Sequence, residues 1–248
     1  MNEALLEYID CKLNEEELGR VFLVTFQGNE FFVKRAVGNN RSSWIKPSPR
    51  ASFDHEFYMM NFVRTQLPLA PEIVGFRENY FVTPNYGKSL TYYGHLPQEH
   101  PEDTSLEDMA VHIFYAFGKA LGMLHDYGIA HGRPALRDIV YNPDEDAVMF
   151  LDWENARRWP EFTPAGWDLL IFIHSFIREG DLPNAYLYAA MNGYSSARCA
   201  RDTVLHVQEV LRKRDYLFKF CRLLEPFHFV DTEAAVHAYD FIQGLKTE

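Results

Sequence analysis

The stretch LHDYGIAHGRPALRDIVYNPDEDAVMFLDWENA, residues 124–156, restricts the fold more than any other part of the chain. Ahead of it Leu106, Met109, Ile113, Phe117, Leu121 and Leu124 form one apolar stripe, as on a helix of about six turns. Thr104-Ser105-Leu106-Glu107 opens that helix with a capping-box pattern, in which a hydroxyl and a carboxylate satisfy free backbone donors. The helix runs into a loop at His131, and the loop into two short strands, DIVYN and AVMFLD, joined by the turn PDED. Asp138 and Asp152 are thereby expected on opposite sides of one hairpin, an arrangement of hard oxygen donors that suits Mg²⁺. Taken alone, they are equally ordinary solvated acids.

The sequence before this stretch is strand-rich. RVFLVTFQGNEFFVKRAV reads as a hairpin turning at Gln27-Gly28-Asn29, and the polar GNNRSSWIKPSPRAS reads as an exposed loop. Phe53, Phe57, Met60, Val63 and Leu67 then recur at helical spacing, and PEIVGFRENYFVTPNYG breaks like a second strand pair. From Trp167 onward the pattern is helical, with breaks expected at 180–183, Gly193 and Pro226. The order implies an α+β protein of two lobes, a β-rich part over 1–90 and a helical part over 91–248, with a cleft between them.

A chain of 248 residues, 47% hydrophobic and 15% aromatic, is long and apolar enough for a substantial core. Its net charge of −11 argues against non-specific binding to nucleic acid or anionic membrane, although it leaves room for a local basic patch. Cys11, Cys199 and Cys221 are too few and too far apart for a disulfide framework or a zinc site, which implies a reducing compartment. The acidic N-terminal segment lacks the pattern of a signal peptide, and the apolar run WDLLIFIHSFI is too short to span a bilayer. These features lead to the expectation of a cytoplasmic protein without a transmembrane segment. RKRDY reads as a solvated helix face, and the aromatics of YLYAAMNGY and DYLFKFC read as packing, with a substrate-binding face as the alternative.

Lys34 in FFVKRA and Glu56 on the following helix are each unremarkable alone, as a surface lysine and a surface carboxylate. Together they allow a strand lysine to pair with a helix glutamate inside the first part and leave the ammonium positioned for phosphate oxygens.

In this order Lys34, Glu56, His131, Asp138 and Asp152 resemble the protein-kinase-like superfamily, in the compact bacterial branches that include lipopolysaccharide, RIO-like and aminoglycoside/choline kinases. LHDYGIAHG resembles the lead into the catalytic loop, and FLDWENA the magnesium-binding strand end. HGRPALRDI is similar to lipopolysaccharide-kinase-like, toluene-tolerance-type proteins. GWDLLIFIHS resembles the following helix, whose Asp168 would brace the loop backbone. The resemblance is strongest over 121–175, weaker over 21–87 and absent beyond Gly180. It implies a protein-kinase-like two-lobed fold, a small β-rich N-lobe and a helical C-lobe. ATP would be held by Lys34 with Glu56 orienting it, and Mg²⁺ by Asp138 and Asp152. The partners would be nucleotide and a hydroxyl-bearing acceptor, with peripheral inner-membrane association where that acceptor is lipopolysaccharide.

Two departures qualify the resemblance. No glycine-rich loop precedes Val21, where CKLNEEELG has one glycine. In the catalytic loop, Arg133 stands where the family carries its catalytic Asp, and His131 serves there as a bracing residue. Arginine cannot accept a proton at neutral pH, and losing a general base costs roughly 10²–10⁴ in rate. Arg133 would then contact phosphate, or pair with Glu154 or another local acid. The first alternative implies a phosphotransferase with an atypical loop; the second implies a pseudokinase acting as a nucleotide-binding or regulatory module.

Overall fold

Val21–Phe26 (β1) and Asn29–Arg35 (β2) pair antiparallel, with Val21 opposite Lys34 and Phe26 opposite Asn29. The turn between them holds Gln27 at φ 52° and Gly28 at φ 80°. Positive φ at both central residues gives a turn whose twist matches that of the strands. The computed structural model describes residues 2–15, 17–37, 48–158, 162–224 and 229–246.

The chain divides into two compact units. The first comprises Met1–Gly87 and Leu151–Asn155, the second Lys88–Phe150 and Ala156–Glu248. The architecture is mixed α+β and mostly helical, and every described strand pair is antiparallel.

In the first unit Gly75–Arg77 (β3) and Tyr80–Pro84 (β4) complete a four-stranded sheet of order β1-β2-β4-β3. The period of two divides its faces. Val24, Phe31, Val33, Tyr80 and Val82 form a core with Leu5, Leu6 and Ile9 of Asn2–Glu15 (α1). Phe76 and Phe81 instead meet Phe57 and Phe53 of Pro49–Gln66 (α2). Ser48 Oγ accepts the Ala51 N–H at 3.2 Å, so α2 starts ahead of the expected Phe53. Residues 49–52 of the expected loop are therefore helical; residues 38–47 lie outside the described residues.

In the second unit Lys88–Ser89 (β5) pairs with Ile139–Asn142 (β7), and β7 with Ala147–Phe150 (β8). Leu90–Glu99 (α3) precedes the long Ser105–Asp126 (α4). The cap of α4 differs from the expected box. Asp103 Oδ1 accepts the Ser105 N–H at 3.0 Å, while Glu107 accepts the Tyr186 hydroxyl at 2.6 Å. Ile129–Ala130 (β6) pairs with Arg157–Arg158 (β9).

Phe162–Arg178 (α5), Asn184–Tyr194 (α6), Ala200–Arg212 (α7), Asp215–Leu224 (α8) and Val230–Gly244 (α9) complete the unit. Gly193 lies within α6 and breaks nothing, because its missing side chain is where α4 passes. A Cβ there would sit 2.1 Å from Tyr115 O, and one on Gly118 of α4 would sit 1.8 Å from Ala190 O. The expected break at Pro226 lies outside the described residues. No helix among the described residues is long and apolar enough to cross a membrane.

Candidate functional site

In the first unit, Lys34 is on β2 with Phe81 as its cross-strand neighbour, which turns it toward α2. On α2, Glu56 falls one turn after Phe53 and one before Met60 and shares their buried face. Leu151–Asn155 adds Asp152 at φ 62° and then a short 3₁₀ turn anchored by the fully buried Trp153. A left-handed aspartate is sterically costly, so the backbone there is held by its surroundings.

These elements bring three of the expected residues together. Lys34 Nζ lies 2.6 Å from Glu56 Oε1, 2.5 Å from Glu56 Oε2 and 2.9 Å from Asp152 Oδ1. Glu56 is 2% exposed and the Lys34 side chain 13%. Burial works to lower the Lys34 ammonium, but the charges and hydrogen bonds of Glu56 and Asp152 outweigh it and hold the group above its ordinary value. It is a fixed cation at every physiological pH.

Two further residues join this cluster. Arg20, immediately before β1, donates to Glu154 at 2.7 Å, and the carboxylates of Glu56, Asp152 and Glu154 have oxygens within 4.8 Å of one another. Sequence reasoning treated Glu154 as a partner for Arg133 and overlooked Arg20. The available signal was the acid two positions after Asp152 in DWEN and the lone arginine leading into the first strand.

The second unit holds the loop from His131 to Asp138. The fully buried Asp168 of α5 accepts the His131 N–H at 2.6 Å and the Gly132 N–H at 2.8 Å. It also meets His125 Nε2 at 3.2 Å, and His125 Nδ1 lies 2.8 Å from the Tyr194 hydroxyl. Ser175 Oγ accepts the Leu136 N–H at 3.1 Å, so α5 anchors the loop at two points. The His131 ring is fully buried and packs against Phe150.

Arg133 Nη2 lies 3.2 Å from Asp138 Oδ2, and Arg137 Nε lies 3.6 Å from Asp138 Oδ1. Asp138 thus faces two guanidinium groups. Asp138 is one of the local acids that pair with Arg133, and Glu154 pairs with Arg20. Asp138 and Asp152 belong to different units, and the carboxylates grouped with Asp152 are Glu56 and Glu154. Arg133, Arg137, Ser175, His174 and Arg178 line a polar cavity of about 480 Å³ in the second unit.

An uncharacterized protein of Haemophilus influenzae is similar to this chain, 27% identical over 194 residues that make up 75% of each sequence. No protein-family model matches the chain.

Proposed function

We propose that this protein is a Mg²⁺- and ATP-dependent phosphotransferase of the protein-kinase-like type, acting on a hydroxyl of a small molecule, a lipopolysaccharide sugar or a protein. One observation carries the reading: the Lys34 ammonium is fixed between the carboxylates of Glu56 and Asp152. A lysine oriented by a helix glutamate and paired with an acid is what phosphate binding by such enzymes requires. Asp152, with Glu154 as a further donor, would hold the metal, since Mg²⁺ takes carboxylate oxygens. When bound, the metal neutralises charge on the phosphate oxygens. The two loop amides held by Asp168 further support the reading, because they fix the loop backbone that leads to Arg133.

ATP turnover with Mg²⁺ tests it, measured across hydroxyl acceptors for the wild type, Lys34→Ala, Asp152→Ala and Glu154→Gln. Lys34→Ala and Asp152→Ala are expected to abolish turnover. Turnover that survives Asp152→Ala sinks the mechanism.

The ion pair of Arg133 with Asp138 favours a second reading, a pseudokinase that serves as a nucleotide-binding or regulatory module. A guanidinium at the base position takes no proton, and here it also occupies the expected metal ligand. Nucleotide binding that Lys34→Ala abolishes, without turnover on any acceptor, selects this second reading.

A further inference from the structure

Helix α8 buries one side and exposes another. Phe218 stacks on Tyr239 of α9 with ring centroids 4.4 Å apart, and Arg222 pairs with Asp240. On the other side Tyr216, Phe220 and Leu223 follow at helical spacing and are 67%, 61% and 71% exposed, with Leu217 beside them at 46%. The aromatics of DYLFKFC were expected to pack; Phe218 does, and Phe220 and the neighbouring Tyr216 do not. Large apolar side chains left in water on one helix face mark an interaction surface.

The charges around this face identify its occupant. Arg212, Lys213, Arg214 and Lys219 fall within eight residues that hold a single acid, Asp215, in a chain of net charge −11. Lys213 and Lys219 pair with Glu209 and Asp215 at 2.7 Å, one turn away on the exposed surface. Exposed pairs of this kind contribute little and exchange readily for another anion.

We propose that α8 lies flat on an anionic phospholipid bilayer, with Tyr216, Phe220 and Leu223 at the acyl boundary and the flanking arginines and lysines at the phosphates. An apolar face beside a basic one is the pattern of an interfacial helix, and ten residues span only about 15 Å. A second copy fits poorly, because a two-fold contact sets the Arg212-Lys213-Arg214 run against itself. The acidic remainder of the chain is repelled by the same surface, so α8 sets the orientation. This inference stands on α8 alone and holds whether or not the first unit binds nucleotide.

Flotation of the full chain with vesicles of phosphatidylglycerol and phosphatidylethanolamine, compared with phosphatidylcholine alone, tests it. Binding is expected on the anionic vesicles and is expected to fall with added salt. Arg212→Gln and Arg214→Gln should each lower partitioning about five-fold. Phe220→Ser combined with Leu223→Ser should lower it about ten-fold or more, with an unchanged melting temperature because both side chains are exposed. No binding, equal binding to both vesicle types, or binding that neither set of variants weakens overturns the proposal. So does a dimer in lipid-free solution that Phe220→Ser dissociates, which would make the face an interface between copies.

Discussion

Lys34 reaches Glu56 at 2.6 Å, joining the inner strand β2 of the first unit to the buried face of α2. Removing one partner of a buried ion pair strands the other charge. Lys34→Met is therefore expected to cost about 3 kcal/mol in urea denaturation, and Lys34→Met with Glu56→Leu to recover most of that loss. A double variant no more stable than the single one would show that the pair is not what holds α2 to the sheet.

The same lysine gives an alkaline pH dependence. Its folded-state value is raised above the ordinary 10.5, so the stabilisation is complete below 10.5 and lost as pH rises through the raised value. Tyr141, pushed up to about 12 by burial and its hydrogen bond to Asp146, acts in the same direction. The readout is consequently a difference: melting temperature should fall less steeply with alkaline pH in Lys34→Met than in the wild type.

Asp126, the last residue of α4, accepts the Cys199 N–H at 2.9 Å and the Arg198 N–H at 3.1 Å, at the start of α7. Burial works to raise its carboxyl, but these amides outweigh it and hold the group below the ordinary 3.8. Its stabilisation is present above 3.8 and lost as pH falls through the depressed value. Asp126→Asn should lower stability by about 1 kcal/mol at neutral pH and flatten the acid limb of the melting curve.

Asp168 is expected to be the most sensitive polar position of the second unit. Asp168→Ala leaves two loop amides and the His125 ring without their acceptor, a loss of about 3 kcal/mol or more. Hydrogen exchange should show the amides of His131 and Gly132 losing protection before those of α4. Uniform loss along the whole unit would argue against a local bracing role.

Gly118 and Gly193 should tolerate nothing larger. A Cβ at either would overlap a backbone carbonyl of the facing helix, which cannot swing away as a side chain does. Gly118→Ala and Gly193→Ala are each expected to cost about 3 kcal/mol, at the upper end for overpacking, in thermal or urea unfolding.

Much of the local structure was legible because it depends on near neighbours. Alternating residues around Gln27-Gly28 gave the first hairpin, the stripe from Met109 to Leu124 gave α4, and PDED gave the turn between β7 and β8. Where a nearby competitor decided, the reading failed: Asp103 took the cap expected of Thr104, and Ser48 with Pro49 started α2 early. Gly193 has the composition of a helix break, yet it sits inside α6 because of what packs against it.

For the candidate site, the sequence by itself determined the residue types and their order: a strand lysine, a helix glutamate, a loop with arginine at the base position, and an acid after a hairpin. Only the tertiary structure decided the partners. Ion pairs form between side chains that folding brings within a few ångströms, and Lys34 and Asp152 are separated by 118 positions. The structure likewise drew Arg20 and Glu154 into the first cluster and set Arg133 and Arg137 against Asp138. It left Tyr216 and Phe220 in water, because apolar spacing on α8 specifies an amphipathic helix but not which of its sides the neighbouring α9 covers.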